Sequence, residues 1–293
     1  MARRHHFAKR GAASINPEVI GTPARRRYRR AMMHTQAAAP PVGNLLRVWR
    51  QRRRMSQLDL ACEADISTKH LSFLETGRSR PSREMVLHLA ERLAVPLRER
   101  NTLLHAAGFA PAYAERTLDA PALAAARAAV EAVLCGHMPY PALAVDRHWT
   151  LLAANPMVAR LLDGCAPALL APPVNVLRLS LHPDGLAPRT AHLAEWRGHL
   201  LDRLRAQVDA SADPALAALL AELRGYPGAS APSAATPAPI AIPFRLRTPA
   251  GTLAFISTTT VFGSPTDITL AELAVEAFFP ADAATAEALR KLR

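Results

Sequence analysis

The chain has 293 residues and a mass of 31.6 kDa; half of its residues are hydrophobic and its formal net charge is +12. That length suits two domains and that apolar content can fill real cores, which excludes a wholly disordered chain. The richest apolar run, Ala120 to Cys135, is broken by Arg127 and Glu131 and falls short of the ~18 residues of a membrane span, which excludes an integral membrane protein.

Residues 1–40 hold nine Arg or Lys against Glu18 alone, a balance of +8. They show no apolar periodicity and carry the runs Arg3-Arg4 and Arg25-Arg26-Arg27-Tyr28-Arg29-Arg30, which predicts a basic disordered arm able to reach phosphates. No apolar stretch follows the basic start, so no secretory signal is expected and the expected setting is the bacterial cytoplasm. Residues 41–110 balance at +5 and residues 111–293 at −1. A cationic front joined to a neutral, apolar back predicts an electrostatic partner for the first module, with nucleic acid the leading candidate, and a different task for the second.

Val42, Leu45, Leu46 and Trp49 recur at helical spacing and predict a first helix over 42–54. Ser56 is placed to cap a second helix over 57–64, in which Leu58, Leu60 and Ala61 point variously inward; Asp65-Ile66-Ser67 then makes a tight turn. A third helix follows over 68–76 and ends at Gly77, where a left-handed cap costs least. Ser82 caps a fourth with Met85, Val86, Leu89 and Leu93 on one face, and Pro96 precedes a fifth containing Leu97, Leu103, Leu104 and Ala107. Beyond Pro111 an alanine-rich helix over 119–135 is expected, stopped by Pro139 to Pro141. Ala142 to Val145 and Trp149 to Ala154 then read as strands around the turn Asp146-Arg147-His148, with Asn155-Pro156 as an N-cap and first helical position. Helices near 188–209 and 214–224 and an exposed loop over Gly225–Pro239 precede three expected strands, Ile240–Thr248, Gly251–Phe262 and Asp267–Phe279, and a last helix over 281–292.

The segments Ser56-Gln57-Leu58-Asp59-Leu60-Ala61, Ile66-Ser67 and Leu71-Ser72-Phe73-Leu74-Glu75-Thr76-Gly77-Arg78 resemble the helix-turn-helix (HTH) of XRE (Cro/C1-type) repressors. The resemblance implies that Gln57 holds a phosphate, that Thr68, Lys69 and Phe73 face base edges in the major groove, and that Arg50 pairs with Glu75 inside the module. The family often has glycine in the turn where this chain has Asp65. Independently of the resemblance, a helix opening Ser67-Thr68-Lys69-His70 presents donors at its positive end. Lys69 suits guanine O6 and N7. Arg47, Arg78 and Arg80, with Arg52, Arg53 and Arg54, are candidate phosphate contacts.

A closer resemblance is to the MmyB-like subgroup of these regulators. It is carried by Lys69 to Arg78, Pro81-Ser82-Arg83-Glu84-Met85-Val86-Leu87, Ala106-Ala107-Gly108-Phe109-Ala110-Pro111, Pro139-Tyr140-Pro141-Ala142, Asp146-Arg147-His148-Trp149, Leu181-His182-Pro183-Asp184-Gly185-Leu186 and Arg247-Thr248-Pro249-Ala250-Gly251. It implies a two-domain chain, α followed by α/β: a five-helix, lambda-repressor-like HTH bundle over 41–110, then a PAS-like α+β domain with an antiparallel sheet over 111–293 that binds a ligand. Such modules act as dimers, for which the second domain is the expected surface and an inverted-repeat operator the expected partner.

Trp149, Leu151, Trp196, Leu200, Phe255, Ile256 and Phe262 are the bulky residues available to line a ligand cavity, although each taken singly fits solid core better. A pocket of this composition implies a hydrophobic small-molecule effector. His137, Asp146, His148, His182 and Asp184 form no recognisable catalytic motif, and His182 fits a structural turn. Cys62, Cys135 and Cys165 lack disulfide or CxxC spacing. No catalysis, cofactor or metal is expected. Two competing functions remain at this stage: an HTH repressor or antitoxin-like module without ligand control, and an enzyme carrying a DNA-targeting domain.

Overall fold

The computed structural model describes residues 41–228, 242–249 and 251–292. The basic arm expected over 1–40 lies outside the described residues, as does the loop expected over Gly225–Pro239 from residue 229 onward.

Five helices open the described chain: α1 Val42–Arg52, α2 Gln57–Glu63, α3 Thr68–Glu75, α4 Arg83–Arg92 and α5 Leu97–Ala106. Their starts follow from local chemistry. The hydroxyls of Ser56, Ser67 and Ser82 accept the backbone N–H of Asp59, His70 and Met85, each satisfying a donor that the first turn leaves unpaired. Asp59 accepts the Ser56 N–H in return and completes a capping box. Asp65 takes φ +51° in the turn before α3 and Gly77 φ +74° after it. Aspartate tolerates that left-handed region and glycine enters it freely. Leu46, Leu60, Leu71, Leu74, Leu89 and Leu104 meet in a closed core.

The packing of α1 on α3 is unusually close. A Cβ at Gly43 would lie 2.3 Å from the Leu74 carbonyl oxygen and 2.7 Å from that of Glu75. Because those atoms are backbone, Gly43→Ala forces the two helices apart, and we expect a loss of about 1–3 kcal/mol, the usual range for an overpacked core. A fall in the thermal midpoint of the first module tests it, and an unchanged midpoint counts against the packing described.

The second part begins with a 3₁₀ turn, Pro121–Leu123, leading into α6 Ala124–Gly136. There follow β1 Ala142–Val145, β2 Leu151–Ala154, α7 Pro156–Leu161, α8 Pro167–Leu170, α9 Val176–Leu181, β3 Thr190–Ala191, α10 Leu193–Ser211 and α11 Pro214–Arg224. The chain ends with β4 Phe244–Thr248, β5 Gly251–Val261, α12 Ile268–Ala271, β6 Ala274–Pro280 and α13 Ala283–Lys291. The six strands form one sheet in the order β2-β1-β6-β5-β4-β3, antiparallel at every pair. This is the expected α+β domain with an antiparallel sheet.

Strand alternation sorts the residues onto two faces. Leu143, Val145, Phe244, Leu246, Leu253 and Phe255 pack with α7, α9, α10, α11 and Leu289 of α13 in the larger core. Ala142, Ala144, Val275 and Ala277 face the other way, onto Val130 and Leu134 of α6.

Several expected elements are redrawn. The strand expected from Trp149 starts at Leu151, because Trp149 adopts φ +65° and leaves the β region. The helix expected near 188–209 opens at Leu193, behind a 3₁₀ turn, Ala187–Arg189, and the two-residue β3. The strand expected over Asp267–Phe279 splits: the Asp267 carboxylate accepts the Thr269 N–H and starts α12, so β6 begins only at Ala274. Pro156 does stand in the first turn of α7, but Asn155 does not cap it with its side chain. That side chain accepts the Ala142 N–H and donates to the Leu134 and Tyr140 carbonyls, tying β1, α6 and α7 together.

Candidate functional site

The first site is the outer face of the helical module. Thr68 and Lys69 are the first two residues of α3, half-buried and exposed respectively, directly after the Ser67 cap. The first-turn N–H groups and the helix dipole make this end electropositive. Two cations lie over the half-buried Phe73 ring, the Lys69 Nζ 5.7 Å and the Arg78 guanidinium carbon 5.8 Å from its centroid. Arg47, Arg78 and Arg80 are exposed, and neither Arg47 nor Arg80 forms an ion pair among the described residues.

What holds α3 in place is a buried polar knot. Arg50 grips Glu75 through Nε at 2.6 Å and a terminal nitrogen at 2.9 Å, and its other terminal nitrogen donates to the Met55 carbonyl at 2.7 Å. The hydrogen bond that Arg50 donates to Glu75 raises the Arg50 pKa against the opposing cost of burial. Gln57, assigned to a phosphate on the sequence, gives its side-chain amide to Glu75 at 2.8 Å. A single carboxylate at the end of α3 thereby fixes α1 and the start of α2.

The second site is a cavity of about 100 Å³ between the larger-core face of the sheet and α7, α9 and α10. Trp149, Leu151, Trp196, Leu200 and Phe255, five of the residues singled out from the sequence, line it. Phe262 and Ile256 do not. Phe262 lies past the end of β5 and packs with the α6 cluster, whereas Ile256 alternates onto the opposite face of β5 and is exposed.

Beside the apolar wall stand four polar residues, Ser180, Ser257, Arg203 and Glu276. Arg203 donates to both Glu276 oxygens, at 3.0 and 2.6 Å, and its guanidinium lies 4.6 Å from the centroid of the Trp149 ring. The Trp149 indole N–H donates to Gln207 and that of Trp196 to Ser180. Sequence reasoning missed Arg203, Gln207 and Glu276. The first two were within reach, since Trp196, Leu200, Arg203 and Gln207 fall at i, i+4, i+7 and i+11, one face of a helix; Glu276 was not, because only the strand register places it there.

Two of the candidate histidines make polar contacts: His182 Nδ1 accepts the Asp184 N–H, and His148 Nε2 lies 2.8 Å from Asp213. Cys62, Cys135 and Cys165 are free thiols, with Cys165 buried. No described helix is long and apolar enough to cross a membrane.

A five-helix HTH module joined to an α+β domain with a wall-lined apolar cavity defines a DNA-binding regulator that senses a ligand. The chain belongs to the MmyB-like transcription regulators: the model of the MmyB-like transcription regulator ligand binding domain matches residues 126–292, more than half of the chain, and that of a helix-turn-helix domain matches residues 41–103. No curated protein matches it. These domains favour neither the module without ligand control nor the DNA-targeted enzyme.

Proposed function

We propose that the chain divides near residue 110 into a DNA reader and a sensor, and that it regulates by binding rather than by turnover. In this reading Thr68, Lys69 and Phe73 of α3 meet base edges in the major groove while Arg47, Arg78 and Arg80 neutralise phosphates. Two copies bind an inverted repeat with half-sites about one helical turn apart, paired through the second domain. The single observation that carries the reading is the exposed, Ser67-capped start of α3, braced from behind by Arg50 and Glu75. Gln57, engaged with Glu75, contributes less to phosphate binding than the three arginines.

The effector is an apolar small molecule that occupies the cavity walled by Trp149, Leu151, Trp196, Leu200 and Phe255. The succession of β1, turn, β2 and α7, together with the antiparallel sheet, supports the PAS-like description of the sensor.

The test is capture and sequencing of fragmented genomic DNA by the purified protein at two salt concentrations. We expect enrichment of one inverted repeat, and a loss of about tenfold or more in affinity for it in the Thr68→Ala, Lys69→Ala double variant, since a good base contact is worth roughly 1–3 kcal/mol. Broad, salt-sensitive binding that ignores the double variant would refute α3 as the reader.

A further inference from the structure

The residues that wall the cavity are chained to the residues that hold the HTH module. Arg98, in the first turn of α5, forms a paired contact with Glu272 at 2.8 and 2.9 Å and a second with Glu115 at 2.8 and 2.7 Å. Glu272 stands between α12 and β6, four residues before the Glu276 of the cavity wall. Arg147 reaches both Glu272, at 3.5 Å, and Asp213, at 3.3 Å, and His148 Nε2 lies against the same Asp213 oxygen at 2.8 Å. Asp213 caps α11 directly behind α10, the helix that carries Trp196, Leu200 and Arg203. Arg53, at the end of α1, donates to the Ala210 carbonyl of α10 at 3.3 Å.

One residue joins the two systems. Trp149 directly follows Arg147 and His148, its ring lines the cavity, and it holds a left-handed φ of +65°, costly for an aromatic side chain. A void of about 100 Å³ is smaller than the 150 Å³ that admits benzene. The pocket is partly open, so an effector of more than a few heavy atoms must displace a wall if it is to be held wholly inside. Most of the wall is carried by helices and strands, whereas Trp149, itself buried in the same core, follows a two-residue turn whose side chains end in the ion cluster.

We propose that the Arg98–Glu272–Arg147–Asp213 cluster is the coupling joint of this regulator: filling the cavity shifts the Trp149 turn and loosens the grip of the sensor on α5 and so on the HTH module. The inference rests on the sensor reading above and states how that site regulates. Coupling requires that the two ends bias one discrete arrangement, and the joint is the contiguous polar route between them.

The experiment fills the cavity from inside, in the full chain, by Leu200→Trp from α10 and separately by Ser257→Leu from β5, each alone and combined with Glu272→Gln. Amide hydrogen exchange over Leu97–Ala106 is the first readout. We expect each filler to speed exchange there about fivefold or more, the lower end of usual allosteric couplings, Glu272→Gln alone to do the same, and the combinations to add nothing further. Unchanged exchange in fillers whose circular dichroism shows an intact fold, or fully multiplicative effects, overturns the joint. Operator affinity is the second readout: a filler should change it about fivefold in the parent and less than twofold in the Glu272→Gln background. If no variant binds a specific operator, the function proposed above fails while hydrogen exchange still decides the coupling.

Discussion

Glu75→Ala is expected to destabilise the HTH module by about 3–5 kcal/mol, the cost of deleting one partner of a buried ion pair. The carboxylate is almost fully buried and accepts bonds from Arg50 Nε, from a terminal nitrogen of Arg50 and from Gln57. Its removal strands a guanidinium and an amide in the core, groups that recover little from water there. The loss should appear as faster hydrogen exchange across Val42–Arg52 and Thr68–Glu75, while protection within the sheet of the second part is retained. The pair Arg50→Met with Glu75→Leu separates stranded charge from lost attraction: it should regain part of the deficit, because no charge is left buried, while the Gln57 amide and the Met55 carbonyl still lose their partners. A Glu75→Ala protein as protected as the parent would mean that the knot does not hold α3.

Phe255→Ala carries the other large effect. The ring is fully buried, at 0% exposure, opposite Phe244 in the sheet register, with the Phe244 and Phe278 ring centroids 6.1 and 6.3 Å away. Truncating a core phenylalanine costs about 3–5 kcal/mol, part of it for the void that remains. Here the void merges with the existing cavity, so the variant should gain what the parent lacks, room for an aromatic guest. We expect the thermal midpoint to fall and then to rise in saturating benzene, which binds only the folded form. A midpoint that benzene does not move would show that the site collapses and that the cavity is not bounded as described.

How far these features were visible beforehand depends on the range over which each is decided. The serine caps, the left-handed Asp65 and the stop at Gly77 are settled within a few residues, and the sequence spelled them out. Asn155-Pro156 carried the same local signature, yet three tertiary hydrogen bonds from the Asn155 side chain outcompeted the cap. Among the bulky residues, Trp149 just before β2, Leu151 at its start, those on α10 and Phe255 at an inward position of β5 reached the cavity. Phe262 did not: it stands seven residues after Phe255, so the alternation that carries Phe255 inward turns Phe262 to the α6 side of the sheet. Arg98 and Glu272 are 174 residues apart, so their pairing is a product of topology alone.

The strand order also sets the sequence of events when the chain is made. The buried residues of the five-helix core all lie within residues 46–104, and the second part adds only Ala212 at its edge, so that core can close as soon as it leaves the ribosome. Strand β1, by contrast, lies between β2 and β6, and its second neighbour is the last strand of the sheet to be synthesised. The contact between Arg98 and Glu272 waits for the same segment. A nascent or C-terminally truncated chain would thus carry a finished DNA-reading head with no sensor attached to it, and full-length synthesis is the step that places the head under control.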